Sequence, residues 1–298
     1  MTFHKQVGTL TRLSYFNTVV VDTPREALEE PPPSPLLIYW PEKPKPAVGG
    51  PLLNLFRAPT DNDYIFGYGP GPKWLKDELY AMEPEVLAFE AVEKENNTVE
   101  ITVEIQSASP SGYTASTQSS YTVYGDGTIG VRNVITPSKA NYYLGKIGFI
   151  MQLAEGFEEV NYFGAGPHEN YPDRNRSAAI SRYTTTVNDM FVPYIRPQDC
   201  GNRTAVRWAS VSNHAGVGLL IEAEQQMNFS ALHHTPLDLH QANHPYELAP
   251  RKSTILTIDW NHCGLGGGSC GPPPMDRYLV LPQETAFNYT LKPWAGSR

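Results

Sequence analysis

Val99-Glu100-Ile101-Thr102-Val103-Glu104-Ile105-Gln106 alternates apolar and polar side chains without a break. A period of two puts Val99, Ile101, Val103 and Ile105 on one face of a strand and the four polar residues on the other. A helix would spread the same apolar groups around its circumference. The stretch therefore belongs to a sheet with one packed face and one wetted face, the mark of antiparallel pairing. Downstream, 117–124 and 128–134 read as strands on either side of Gly125-Asp126-Gly127. Asp-Gly supplies the positive φ that a hairpin turn needs. Further strands are expected at 145–153, 206–212, 216–222, 254–260 and 285–292. Only Thr23–Glu30 and Pro72–Met82 have helical character, and neither is long enough to cover a parallel sheet.

Composition agrees with this reading. The chain has 298 residues, of which 40% are hydrophobic and 18% charged, enough apolar content for a sizeable core. Its 24 Gly, 27 Pro and 17 Tyr favour many short strands and turns over long helices. The expected fold is all-β: an antiparallel sandwich with long loops and little helix, forming one domain over 1–298. Pro31-Pro32-Pro33-Ser34-Pro35, followed by Pro41, Pro44 and Pro46, cannot be regular structure, and 31–46 reads as an extended surface loop.

A formal net charge of -8 and scattered basic residues exclude the footprint of a nucleic-acid binder. No run of 18 apolar residues exists to span a membrane. Met1–Gln6 is not followed by the apolar stretch of a secretory signal, and three cysteines (Cys200, Cys263, Cys270) do not make a disulfide framework. The expectation is a reducing, cytoplasmic setting. The sequons at Asn96, Asn175, Asn202, Asn228 and Asn288 then read as chance matches.

Three polar clusters stand apart from the strands: Arg57 to Asp63, Gly164 to Arg174, and Pro193 to Arg203, the last running on to Arg207-Trp208. Each mixes proline or glycine with carboxylates, amides and arginines. One reading is that they brace one another through Arg–carboxylate forks and Asx turns. On that reading Arg57, Asp61, Asp173, Arg174 and Arg203 are structural. The other is that paired donors and acceptors suit sugar hydroxyls, with Arg57, Asp61 and Asn62 as contacts. Among the histidines, His233 and His234 would point to opposite faces of a strand. No metal-ligand spacing such as HExxH or CxxC occurs, so neither metal nor cofactor is expected. Gly264 to Pro272 lacks the Lys-Ser/Thr end of a phosphate loop and reads as a rim loop presenting Cys270, or as a tight turn that buries it.

These clusters, in this order, resemble the C-terminal domain of family-two β-galactosidases, which also occurs as the small subunit of two-chain β-galactosidases. The matching stretches are Arg57–Asp63, Tyr162–Arg174, Val192–Trp208, Phe229–His233, Ile258-Asp259, Gly264–Pro272 and the ending Leu291-Lys292-Pro293. They cover nearly the whole chain. The resemblance implies a β-supersandwich of the galactose-mutarotase-like type that packs beside a (β/α)8 barrel. It implies too that the barrel supplies both catalytic glutamates while this domain lends a loop to the sugar site. The position matching Cys270 is Trp in some members and Cys in others, and it lies near the bound sugar.

Two functional readings follow. The first is a module that completes a galactoside site, is not hydrolytic alone, and partners a β-galactosidase large subunit or a second copy. Nothing in the 298 residues reads as the barrel with its carboxylate pair. The second is a self-sufficient enzyme that uses the concave pocket on a small molecule for isomerisation, elimination or cyclisation. His168, Glu169 and His233 would be its acid–base groups, beside Asp61. Segment 31–46, which looks like an insertion, and the atypical Trp260-Asn261-His262-Cys263 keep this second reading open.

Overall fold

The computed structural model describes residues 2–4, 9–15, 18–22, 50–64, 69–94, 97–267 and 271–295. Among them, every strand ladder is antiparallel. The strands are β1 (Thr2–His4), β2 (Thr9–Tyr15), β3 (Thr18–Asp22), β4 (Leu52–Asn54), β5 (Glu83–Lys94), β6 (Thr98–Ala108), β7 (Thr114–Val123) and β8 (Ile129–Pro137). They continue as β9 (Lys146–Glu155), β10 (Glu159–Gly166), β11 (Ala179–Thr186), β12 (Arg203–Ser212), β13 (Val217–Leu232), β14 (Ser253–His262) and β15 (Thr285–Ala295).

The alternating octet lies within β6, where Ile101, Val103 and Ile105 are buried and Glu100, Glu104 and Gln106 are not. The expected hairpin forms between β7 and β8. Gly127 takes φ 86°, and the Asp126 side chain accepts from Thr128 N at 2.8 Å. The helical expectation at 72–82 is only half met. A helix spans Gly71–Lys76, and a separate 3-10 turn spans Leu79–Ala81. Glu78 between them sits at φ 48°, left-handed backbone that an α-helix cannot pass through. The expectations at 23–30 and 31–46 lie outside the described residues. Strands β5, β10 and β11 had no clear sequence signal. β11 pairs only with β10 and none of its residues is buried, so it lacks the alternation that packing on one face imposes.

One long strand turns the sheet into two layers. The first half of β13 (217–223) pairs with β15, and its second half (228–232) pairs with β14. On its other side β13 borders β12, whose ladder is broken between Arg203 and Trp208, where Ala205 takes φ 54°. Such irregularities bend a strand and increase its twist. One layer then runs β2-β3-β9-β14-β13, with β12, β10 and β11 branching from it, and the other runs β13-β15-β8-β7-β6-β5. The layers close on an aromatic core. Phe149 of β9 meets Phe287 and Tyr289 of β15 at ring-centroid distances of 6.4 and 6.0 Å, and all three are buried. This is the supersandwich expected from sequence.

Candidate site at the loop end of the sandwich

Four loops meet where β4, β10 and β14 end and β12 begins: 55–63, 167–174, 193–202 and 263–267. They are held by buried polar groups rather than by regular ladders.

The first loop is fixed by Arg57, which is wholly buried. Its guanidinium grips Asp63 with two nitrogens, at 3.1 and 2.7 Å, and donates to the carbonyls of Cys263 (2.6 Å) and Gly264 (2.9 Å). Asp63 also accepts from the N–H and hydroxyl of Thr60. Burial would lower the Arg57 pKa. The Asp63 carboxylate and other nearby acidic groups outweigh it and raise it. The fork seals loop 55–63 to the end of β14.

Asp173 fixes the fourth loop. Its carboxylate accepts from the backbone N–H of Leu265 (2.9 Å) and Gly266 (2.8 Å). Gly264 makes this approach possible, because a Cβ there would lie 2.6 Å from the Asp173 oxygen. Glu169 does the same for the second and third loops. It accepts from Arg174, from Gly201 N at 2.9 Å and from the Tyr194 hydroxyl.

Beneath lies a chain of buried ionisable groups. Asp199 accepts from the Tyr171 hydroxyl at 2.7 Å and faces the His262 ring nitrogen at 3.3 Å. Lys146 pairs with Asp259 at 3.1 Å on the adjoining strands β9 and β14. Burial alone would raise the Asp199 carboxyl. His262, Lys146 and Arg57 outweigh it and hold Asp199 well below the usual carboxylate range. For Asp259 burial wins over Lys146, and its pKa is raised. Burial also pushes the Cys263 thiol up to about 12.

Above this base is an open cleft of about 210 Å3 lined by Thr60, Asp61, Asn62, Tyr171, Arg174, Tyr194, Gln198, Asp199 and Leu265. Every lining residue belongs to a loop singled out from sequence. Asp61 and Asn62 line the cleft. Asp61 is exposed, and it is Asp63, not Asp61, that pairs with Arg57. Arg57 itself lies under the floor. Glu169 is buried and engaged by its three donors, and Cys270 lies outside the described residues. Asp173, Arg174 and Arg203 do brace the loops, Arg203 through the Tyr162 hydroxyl and two backbone carbonyls. Among the described residues no group of three His, Cys, Asp or Glu could hold a metal ion. None of their helices is long and apolar enough to cross a membrane.

The two candidate histidines do not meet. His233 donates from Nδ1 to the Ser253 carbonyl and its Nε2 contacts Glu158, just before β10 begins, at 3.0 Å. His168 follows the other end of β10 and contacts Ser177. Eight residues of strand span about 26 Å, so these two side chains cannot act on one small molecule. The sequence had no signal for this, because the distance is set by which ends of β10 the two loops join. Lys146 was missed as well, and Asp259 and His262, though they fall in stretches noted from sequence, were given no role. Their signal was a single charge or ring in an otherwise apolar strand, as in Thr254-Ile255-Leu256-Thr257-Ile258-Asp259.

Residues 1–291 match the profile of the family described as "Beta galactosidase small chain". Curated β-galactosidases are similar over the chain. That of Priestia megaterium is 33% identical over 60% of this chain and 18% of its own length. That of Arthrobacter sp. is 29% identical over 79% and 25%, and that of Vibrio cholerae 29% over 88% and 26%. The chain thus spans about a quarter or less of these relatives. Among solved structures, a galactose 1-epimerase from Lactobacillus acidophilus aligns at 10% identity with a TM-score of 0.41, over 70% of this chain and 66% of that one.

Proposed function

Because this chain belongs to the beta galactosidase small chain family, we propose that it forms one wall of a galactoside site whose catalytic carboxylates come from a different segment or chain. The reading rests on one observation: the cleft at the loop end offers polar contacts over a base of buried ion pairs but only one exposed carboxylate, Asp61. Hydrolysis of a glycoside needs one carboxyl that donates a proton and a second that attacks or activates water. Of the carboxylates facing the cleft, Asp199 is held ionised by its neighbours, so it cannot be the proton donor near neutral pH. Asp61 is left as a single exposed carboxylate suited to accepting from sugar hydroxyls, with Asn62, Gln198 and Tyr194 as further contacts. Cys270, three residues beyond the anchored 263–267 segment in sequence, is proposed as a further sugar contact. The partner is a large, barrel-bearing β-galactosidase chain or segment. The free, buried thiols of Cys200 and Cys263 support a reducing, cytoplasmic setting.

Hydrolysis of nitrophenyl β-galactoside tests the proposal, using the purified chain alone and mixed with the large chain of a two-chain β-galactosidase. Activity is expected only in the mixture, with a raised KM when Asp61→Ala or Asn62→Ala is used. Turnover by the repurified lone chain, or mixture activity indifferent to both substitutions, overturns it.

A further inference from the structure

A second concavity lies away from the cleft, at the other end of β10 and β12. It is a groove of about 510 Å3 lined by residues of β10, β11, β12 and β15 and by the β12–β13 turn. Ligand sites span roughly 300–1,000 Å3. Two tryptophans, with Tyr183 and Ala215, form its apolar part. Trp208 on β12 and Trp294 on β15 flank β13, where they pair with Glu222 and Gly218. Their rings are near-parallel, at 25°, with centroids 6.4 Å apart. Both residues are only half-buried and both line the groove.

Polar groups surround the indoles. Asn161 and Thr184 are paired across β10 and β11, and Thr184 donates to the Asn161 carbonyl oxygen at 2.7 Å. That leaves the Asn161 amide nitrogen with no partner among the described residues. The exposed Arg182 guanidinium also has none there. Glu159 faces His214 at 3.6 Å, and both are exposed. One carboxylate and one guanidinium balance, so the groove has no net field to hold an anion. Its polar share argues equally against a hydrophobic protein surface.

We propose that this groove is a second carbohydrate-binding site, for a neutral oligosaccharide of pyranose units. The ring C–H faces of a pyranose are apolar and pack on indoles, while its hydroxyls donate and accept at the ring edge. An amphipathic aromatic body beside free donors and acceptors matches that chemistry. The site does not depend on the reading of the cleft and lies at the opposite end of the same strands. It would hold a glycan chain without acting on it.

Indole N–H resonances of the 15N-labelled chain report on the five tryptophans. Titration with β-1,4-galactotetraose is expected to shift those of Trp208 and Trp294 saturably, while inorganic phosphate shifts neither. Trp294→Ala is expected to weaken binding roughly tenfold, the scale of one lost stacking contact. Arg182→Ala removes an exposed side chain without disturbing the fold and is expected to weaken binding several-fold, so the claim does not rest on a half-buried tryptophan alone. Shifts that persist in an Asn62→Ala chain separate the groove from the cleft. The proposal is overturned if the tetraose moves neither resonance, if phosphate binds in its place, or if affinity survives both Trp294→Ala and Arg182→Ala.

Discussion

Replacing Asp63 with alanine removes the one carboxylate among the described residues that grips Arg57. The guanidinium is wholly buried, and two of its four short hydrogen bonds go to Asp63. Arginine does not deprotonate in a protein, so the charge stays when its partner leaves. The Thr60 N–H and hydroxyl lose their acceptor too. Breaking one side of a buried pair costs about 3–5 kcal/mol. At about 2.1 cal/mol/K of unfolding entropy per residue, each kcal/mol shifts the Tm of a 298-residue chain by about 1.6 °C, which gives a drop of roughly 5–8 °C. Asp61→Ala, two residues away, is the control. Its side chain is exposed, and its backbone N–H donates to the Gln198 side chain, a bond that alanine keeps. A surface change of this kind stays within about 0.5 kcal/mol. Differential scanning calorimetry of both variants beside the parent decides the matter. Equal melting of Asp63→Ala and Asp61→Ala would refute the argument that the fork, and not acidity in the loop generally, holds this end of the sandwich.

Two further outcomes are expected. Asp199 has a folded pKa below its unfolded value of about 3.9, so its stabilisation is present above pH 4 and is lost as pH falls toward the folded value. Asp199→Asn should therefore flatten the fall of Tm below roughly pH 4, and an acid limb as steep as the parent's would count against this. Asp173→Ala frees the amides of Leu265 and Gly266. Hydrogen exchange at these two should quicken about tenfold or more while global stability falls less than in Asp63→Ala; unchanged protection would mean the loop is held by something else.

The alternating octet of β6, the Asp-Gly hairpin and the turn-rich composition settle an antiparallel all-β fold, because a period of two has only one way to bury one face. The polar loops were legible for a related reason. Arginines and carboxylates packed among glycines and prolines need partners, and all four loops do meet. Pairing within them was not legible. Arg57 precedes two aspartates in Asp61-Asn62-Asp63, and only the short helix at Asp61–Tyr64 turns Asp63 inward and leaves Asp61 at the cleft. Nor could one sequence say that His168 and His233 stand at opposite ends of β10, since distance along the chain carries no information about which strand ends share a loop cluster. The same holds for Gly148, whose missing Cβ leaves room for the Asp259 carboxylate on the neighbouring strand. Sequence patterning determined which residues face inward, because burial acts on each strand locally. Only the tertiary structure decided which buried charges meet and which polar groups are left to face a ligand, because those depend on register and on the bend that β13 puts between the two layers.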